Sequence, residues 1–159
     1  MTTFNPDKDG LPSFYSGDNY VIEESVGYLI RQAQLALHRT IDANMADLDL
    51  TALQWVPLLF LAKGKGQTAA ELSRCVCVDT STMTRMLDRL EAKGLLARKR
   101  SMEDRRVIFL ELTDEGRRLA EQVPYRMAAT LNQHLRDFSQ QEVDSLKLLL
   151  RRIIANGEN

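Results

Sequence analysis

A run of hydroxyl-bearing side chains lies near the middle of the sequence. It reads Asp79-Thr80-Ser81-Thr82-Met83-Thr84-Arg85, and Arg89 follows one helical turn later. Ser and Thr are poor helix formers, so such a cluster at the start of a helix needs another reason. Hydroxyls there can hydrogen-bond to phosphates and base edges, and an arginine can bind the edge of a guanine. The alternative is that the first three residues, Asp79 to Ser81, only cap the helix. The candidate nucleic-acid contacts are Thr80, Ser81, Thr82, Thr84, Arg85 and Arg89.

A second basic cluster lies further along the chain, in a polar segment with no apolar pattern and hence no core to serve. An arginine on a projecting loop can enter the minor groove, where it responds to the narrow width of A·T-rich DNA. Asp104 stands two residues before Arg106 and can hold its guanidinium in a fixed orientation. A solvated run of charge would explain the basic residues but not this neighbouring acid. The candidate contacts here are Arg98, Arg100, Asp104, Arg105 and Arg106.

The charge of the chain is unevenly distributed. Residues 74–106 carry a net charge of +4, whereas the remaining residues carry −5, which gives −1 for all 159 residues. A positive block within a negative protein is typical of a face that meets phosphates.

Helical periodicity dominates the rest of the sequence. Apolar residues predict a first helix from Ile22 to Met45, and Pro57 is expected to kink the second helix. Thr113 is expected to cap a fifth helix that bends at Pro124. Three capping boxes predict further helix starts: Thr51 with Gln54, Thr68 with Glu71, and Ser139 with Glu142.

Between the fourth and fifth helices the apolar period changes to that of strands. Residues 95–98 and 107–112 predict two short strands, and 99–106 predict the tip of a hairpin. Two helices joined by a tight turn and followed by a hairpin form a winged helix-turn-helix, whose second helix enters the major groove. We therefore expect a mainly α fold with a small β-hairpin wing that binds double-stranded DNA.

Two stretches make the chain resemble MarR-type regulators. Residues 84–96, TRMLDRLEAKGLL, are similar to the recognition helix and its exit, and Asp104-Arg105-Arg106 continuing to Leu112-Thr113-Asp114-Glu115-Gly116 is similar to the wing and the helix after it. The resemblance covers roughly residues 22–156. It implies a triangular homodimer, a pseudo-palindromic operator, and Arg106 as a minor-groove residue oriented by Asp104. It also implies a repressor that releases DNA when a small, often aromatic and anionic, ligand binds.

The expected organisation has three parts. Residues 1–20, with scattered Pro and Gly, form an irregular N-terminal arm. Residues 21–48 and 113–157 form a helical dimerisation region, because these helices carry more apolar face than one small winged domain could bury. Residues 49–112 form the winged helix-turn-helix that binds DNA.

Two kinds of regulation are open. A ligand pocket could be formed by Tyr28, Arg31, His38 and Trp55, since arginine can pair with a carboxylate and aromatic rings can stack on a ligand. These residues could equally be dimer core, a surface ion pair and a satisfied histidine. Oxidation of Cys75 or Cys77 is the rival trigger, although we expect one of the two to be buried packing.

The sequence argues against several classes of protein. It shows no catalytic triad, no glycine-rich phosphate loop and no metal-ligand cluster, so we expect no enzyme, cofactor or metal. No apolar run reaches the roughly 20 residues that a membrane helix needs, and no secretory signal is visible, so we expect a cytoplasmic protein. A winged helix used only to bind other proteins stays as an alternative.

Overall fold

The computed structural model describes residues 12–51 and 53–157, so the first eleven residues of the predicted arm lie outside the described residues. The expectation of a mainly helical fold with a two-stranded wing is confirmed. The helices and strands in chain order are α1 (Val26–Met45), α2 (Trp55–Ala62), α3 (Ala69–Val76), α4 (Thr80–Ala92), β1 (Leu96–Arg100), β2 (Ile108–Leu112), α5 (Asp114–His134) and α6 (Gln140–Gly157).

The chain divides into two units between Ala36 and Leu37, within α1. In the first unit the start of α1 is held by two hydroxyls. The Tyr15 hydroxyl accepts a hydrogen bond from the Val26 N–H at 3.0 Å, and the Ser25 hydroxyl accepts one from the N–H of Tyr28 at 3.3 Å. These bonds satisfy first-turn donors, so α1 begins at Val26, after the predicted Ile22.

The second unit contains the apolar core, which joins the last part of α1 to α2, α3, α4, the wing and the start of α5. Its largest fully buried apolar side chains come from five different helices, so the core fixes those helices against one another. They are Met45, Leu58, Leu72, Met83, Leu87, Leu90 and Val123.

The start of α2 differs from the prediction. The helix begins at Trp55, and Gln54 precedes it without a side-chain cap. The Thr51 N–H still donates to the Gln54 side chain, at 3.4 Å, within a separate turn. Pro57 is therefore the third residue of the helix, where a backbone N–H has no partner within the helix, and proline costs nothing there. The position gives no reason for the kink that the sequence predicted.

The wing is joined to α5 by a tight structure around Thr113. The Thr113 hydroxyl accepts from the Gly116 N–H at 3.0 Å and donates to the Gly94 carbonyl at 2.7 Å. At Gly116 an added Cβ would lie 1.9 Å from the carbonyl oxygen of Leu95, so only glycine fits. Thr113 caps α5 as predicted. The spacing of Thr113 and Gly116 in the sequence is explained by this tight connection between the wing and α5.

Polar contacts hold α5 against the end of α1. Asn44 donates to the buried hydroxyl of Thr130 at 2.7 Å, and Arg126 pairs with Asp47 at 2.5 Å. The His134 ring nitrogen lies 2.8 Å from the hydroxyl of Thr40. These contacts tie the end of α1 to α5, the long helix that follows the wing.

The last helix, α6, starts at the predicted capping box. The Ser139 N–H donates to the Glu142 carboxylate at 2.8 Å, and the Ser139 hydroxyl accepts from the Glu142 N–H at 3.3 Å. No residue of α6 is buried, and six of its large apolar side chains are exposed. Within the described ranges, no helix has the length and apolarity needed to cross a bilayer.

Candidate nucleic-acid interface

The turn between α3 and α4 fixes the direction of the candidate recognition helix. Thr68 and Glu71 form the predicted capping box at the start of α3. At its end Cys77 adopts a left-handed conformation with φ 55°, and the Ser73 hydroxyl donates to the Val78 carbonyl at 2.7 Å. Ser73 is buried, so this turn is set by the protein interior.

Asp79 organises the first turn of α4. Its carboxylate accepts from the Thr82 N–H at 2.8 Å, from the Ser81 hydroxyl at 2.5 Å and from the Thr82 hydroxyl at 2.6 Å. The Ser81 and Thr82 hydroxyls, followed by the Thr82 N–H, hold the pKa of the Asp79 carboxyl well below its usual range. Asp79 is thus a charged helix cap under all but strongly acidic conditions.

These bonds limit what the hydroxyls of α4 can do. The hydroxyl protons of Ser81 and Thr82 point to Asp79, and that of Thr84 points to the Thr80 carbonyl at 2.8 Å. A phosphate accepts but cannot donate, whereas base amino groups donate. In this arrangement the three hydroxyls can accept from bases, and the exposed Thr80 hydroxyl is the one placed to donate to a phosphate.

Arg85 and Arg89 are exposed on α4, and neither forms an ion pair with any described residue. They line a recess of about 340 Å³ together with Thr82 and with Asp42 of α1. No sequence pattern indicated this recess, because it depends on how the end of α1 packs beside α4.

Arg98 has a different environment from the other candidate arginines. It lies on β1 opposite Leu110, and its side chain is 27% exposed. Its guanidinium binds Asp88 of α4 at 2.7 Å and also pairs with Glu91. The charge of Arg98 is thus neutralised inside the protein, where it ties the wing to the recognition helix; its role as a DNA contact stays a prediction.

The tip of the wing is closed by short hydrogen bonds. The Ser101 hydroxyl accepts from the N–H groups of Glu103 and Asp104, each at 3.2 Å. The Asp104 carboxylate accepts from the backbone N–H of Arg106 at 2.9 Å. The sequence predicted that Asp104 would hold the guanidinium of Arg106, but in this structure it fixes the backbone of the turn.

The guanidinium groups of three wing arginines form no ion pair with any described residue. These arginines are Arg100, Arg105 and Arg106, and all three are exposed. Beside them Met102 is 99% exposed, a feature that the sequence analysis did not select. Its exposure could have been inferred from the sequence, because it lies in the tip of the predicted hairpin and its neighbours are not apolar.

The four candidate ligand residues belong to different parts of the chain. Tyr28 and Arg31 lie in the first unit, where Tyr28 is half-buried and Arg31 is exposed. His38 and Trp55 lie in the second unit, and both are half-buried. The indole Nε1 of Trp55 is buried and, among the described residues, has no hydrogen-bond partner.

Both cysteines are exposed, so the expectation that one would be buried packing is wrong. The Cys75 thiol donates to the Lys65 carbonyl at 3.2 Å, and Cys77 follows at the left-handed end of α3. Both thiols are exposed because Leu72 and Val76, and not the cysteines, lie on the side of this segment that packs against the core. In the described part of the chain no group of three or more His, Cys, Asp or Glu could hold a metal ion.

Comparison with known proteins gives four results. A family model described as the MarR family matches residues 50–108. The multiple antibiotic resistance protein MarR of Salmonella typhimurium is 32% identical over 130 residues, covering 81% of this chain and 90% of that protein. The HTH-type transcriptional repressor NicR of Pseudomonas putida is 29% identical over 96% of this chain and 98% of that protein. A crystal structure of a MarR mutant from E. coli complexed with operator DNA matches with a TM-score of 0.77 and 28% identity, covering 85% of this chain and 99% of the other.

Proposed function

This chain belongs to the MarR family, and from that premise we propose that it is a transcriptional regulator that binds operator DNA and catalyses no reaction. The observation that carries the proposal is the set of exposed arginines without internal partners, on α4 and at the wing tip. Arginine at these two places suits guanine edges in the major groove and the narrow minor groove, respectively. A protein with this role works in the cytoplasm, where the operator is.

We propose that the active form is a homodimer. The apolar side chains of α6 are 36–61% exposed, and those on the first half of α1 are 38–52% exposed. Soluble monomers rarely leave such contiguous apolar faces open, so a second copy of the chain is the natural cover. The side chains concerned are Val26, Leu29, Ile30 and Leu35 on α1, and Leu146, Leu148, Leu149, Leu150, Ile153 and Ile154 on α6.

The sign of regulation is proposed to be repression. The support is the relative from Pseudomonas putida, which is a repressor by name and matches almost the whole chain. Two-fold symmetry of a dimer further predicts a pseudo-palindromic operator with half-sites about one helical turn apart.

A selection from genomic fragments tests the proposal directly. Purified protein is mixed with fragments at two salt concentrations, and retained fragments are footprinted. We expect protection of a pseudo-palindrome beside a promoter, with affinity that falls steeply as salt rises because counterions are released. Retention without sequence preference would contradict the operator proposal, and no retention at either salt would favour a protein-interaction module.

The effector is proposed to be a small aromatic carboxylate, with Tyr28, Arg31, His38 and Trp55 each as a separate candidate contact. The buried, unpaired Nε1 of Trp55 supports this, because a buried indole N–H normally has an acceptor. Calorimetry with benzoate-like acids should show weaker binding to Arg31→Ala than to the wild type, whereas Arg39→Ala, an exposed arginine on the same helix, should bind normally. Equal affinity in all three proteins would remove Arg31 from the site.

Thiol oxidation is a second candidate trigger, favoured by the exposure of Cys75 and Cys77. A peroxide would oxidise one thiolate to a sulfenic acid, and condensation with the other thiol would release water and form a disulfide. The bond would distort the left-handed end of α3, two residues before the Asp79 cap. Peroxide should then weaken operator binding of the wild type but not of Cys75→Ser or Cys77→Ser; unchanged wild-type binding would exclude this trigger.

A further inference from the structure

The wing ends in an apolar side chain that no part of the protein covers. Met102 is 99% exposed, more than any other large hydrophobic residue of the described chain. A methionine that leaves its whole side chain in water loses the transfer free energy of burial, so the position has no stabilising role in this chain. Met102 lies outside the hydrophobic core cluster, and replacing it leaves the core packing intact.

The tip holds Met102 in a defined place. Ser101 accepts from the two N–H groups that follow Met102, and the Ser101 N–H donates to the Val107 carbonyl at 2.9 Å. The Val107 N–H donates in turn to the Asp104 carbonyl at 2.9 Å, which closes the loop below Met102. These bonds order the backbone on both sides of the methionine, so its side chain projects from a fixed turn.

Two arginines share a recess with Met102, while the acids Glu103 and Asp104 follow it along the tip. Arg100, Ser101, Met102 and Arg105 line one surface recess of about 400 Å³, and both arginines lack ion pairs with described residues. An apolar side chain between two free guanidinium groups suits a surface that is anionic at its edges and apolar within. The minor groove of DNA has this character, with phosphates along both walls and sugar and base edges between them.

We propose that Met102 is a specificity-determining residue that contacts the floor of the minor groove and selects A·T over G·C pairs there. The inference rests on the proposed function of DNA binding, and it adds an uncharged side chain to those that distinguish one base pair from another. Methionine is among the apolar side chains that other proteins place in the minor groove, where they act as wedges between base steps.

The selectivity follows from the chemistry of the groove floor. An A·T pair presents the acceptors adenine N3 and thymine O2, with a C–H group between them, whereas a G·C pair adds the guanine N2 amino group. A thioether is a weak acceptor and cannot replace the water that this amino group gives up when Met102 covers it. The amino group also projects into the space that the methyl and sulfur atoms of Met102 would occupy. Met102 therefore excludes G·C at the contacted position.

The experiment uses the full-length protein and its footprinted operator. Each A·T pair in the flanks of the half-sites is replaced singly by G·C and by inosine·C, which keeps the major-groove pattern of G·C but lacks the N2 amino group. Affinities are measured for the wild type, Met102→Ala, Met102→Gln and Glu103→Gln. Glu103 is the exposed neighbour at the tip, and its variant controls for a general change of charge.

For one flank position, the wild type should bind the operator with G·C about fivefold to tenfold more weakly than the original operator, a usual effect of one wrong base pair. The operator with inosine·C at that position should bind with normal affinity. Met102→Ala should reduce that penalty to about twofold. Met102→Gln should abolish or reverse it, because the amide oxygen accepts from the N2 amino group. Glu103→Gln should raise affinity on every duplex alike and keep the penalty.

A full G·C penalty in Met102→Ala would overturn the proposal, and so would an equal weakening with inosine·C and G·C in the wild type. Melting curves of the variants should match the wild type, because Met102 is fully exposed and lies outside the core. Absence of any duplex binding by the wild type would instead contradict the proposed function, so the two failures are distinguishable.

Discussion

The start of α4 and the tip of the wing are both rich in polar side chains, but they use them differently. At the start of α4 the hydroxyls of Ser81 and Thr82 are bonded to Asp79, and Thr84 is bonded to its own helix. At the wing tip Arg105 and Arg106 extend into solvent, and the internal bonds involve backbone groups and Ser101. The start of α4 has hydroxyls in a fixed geometry ahead of the exposed Arg85 and Arg89, whereas the wing tip has free arginines on a fixed backbone.

This difference teaches which kind of recognition each region can supply. Base readout needs donors and acceptors whose positions are set before binding, and the start of α4 has them. Attraction to phosphates needs charge but little geometry, and the wing tip has that. We therefore expect sequence selectivity to depend mainly on α4, with the wing adding affinity and groove-shape preference.

The largest effect should come from Arg85. Arg85→Ala should weaken operator binding by about 1–3 kcal/mol, while binding to unrelated duplex should change much less. Arg85→Lys keeps the charge but loses the paired donors, so it should recover little of the selectivity. Competition assays with operator and random duplex measure both quantities; an equal loss on the two duplexes would erase the distinction between α4 and the wing.

A smaller and uniform effect is expected for Arg105 at the wing tip. Arg105→Ala should weaken binding to all sequences alike and reduce the slope of log affinity against log salt by about one for each phosphate that the side chain neutralises. A salt titration from low to moderate ionic strength provides this slope. A loss of sequence selectivity in Arg105→Ala, with the salt dependence of binding unchanged from the wild type, would contradict the assignment of phosphate attraction to the wing tip.

Arg98 connects the two regions and should have a smaller effect still. Arg98→Ala removes the pairs with Asp88 and Glu91, which are partly exposed, so unfolding in urea should show a loss of about 1 kcal/mol or less. Because the wing is no longer tied to α4, the preference of the protein for A·T pairs in the flanks should weaken. Its preference for the base that Arg85 contacts should not change. In a double-mutant cycle with Glu91→Gln the stability losses should be less than additive; full additivity would exclude this coupling.

The smallest effect concerns the pH dependence of the Asp79 cap. Its pKa is held low in the folded protein by Ser81 and Thr82, so the unfolded chain takes up the proton first as pH falls. The stabilisation is complete above the unfolded value of about 4 and is lost as pH drops further toward the folded pKa. The difference in unfolding free energy between wild type and Asp79→Asn should be constant near neutral pH and shrink below about pH 4. A constant difference down to the acid transition would show that the carboxylate charge is not what stabilises α4.

Much of the fold could be predicted because its signals are local. The capping boxes at Thr68 and Ser139, and the cap at Thr113, each depend on residues three positions apart, and all three are present. The start of α2 was misplaced because Thr51 and Gln54 have capping-box spacing but bond within a separate turn before the helix. With that earlier start, Pro57 was expected inside the helix and not in its first turn. The exposure of both cysteines depends on which side of α3 the core occupies, which spacing alone does not fix.

The candidate site was predicted less completely than the fold. Residue type and spacing identified the arginines, but they could not separate Arg98, which pairs with two acids, from Arg105, which forms no ion pair with a described residue. Asp88 and Glu91 lie ten and seven positions before Arg98, and the turn between α4 and β1 brings the three residues together. Asp104 was expected to hold the guanidinium of Arg106, but its carboxylate accepts from the backbone N–H of Arg106, a contact that depends on the conformation of the turn.

The uncovered apolar side of α6 has a consequence for how regulation depends on the amount of protein. If this helix finds its cover in a second chain, folding of the C-terminal region is coupled to dimerisation and becomes concentration-dependent by mass action. At low levels, occupancy of the operator would then rise with the square of the subunit concentration. A modest change in synthesis would switch the target gene more sharply than it could with a monomeric regulator.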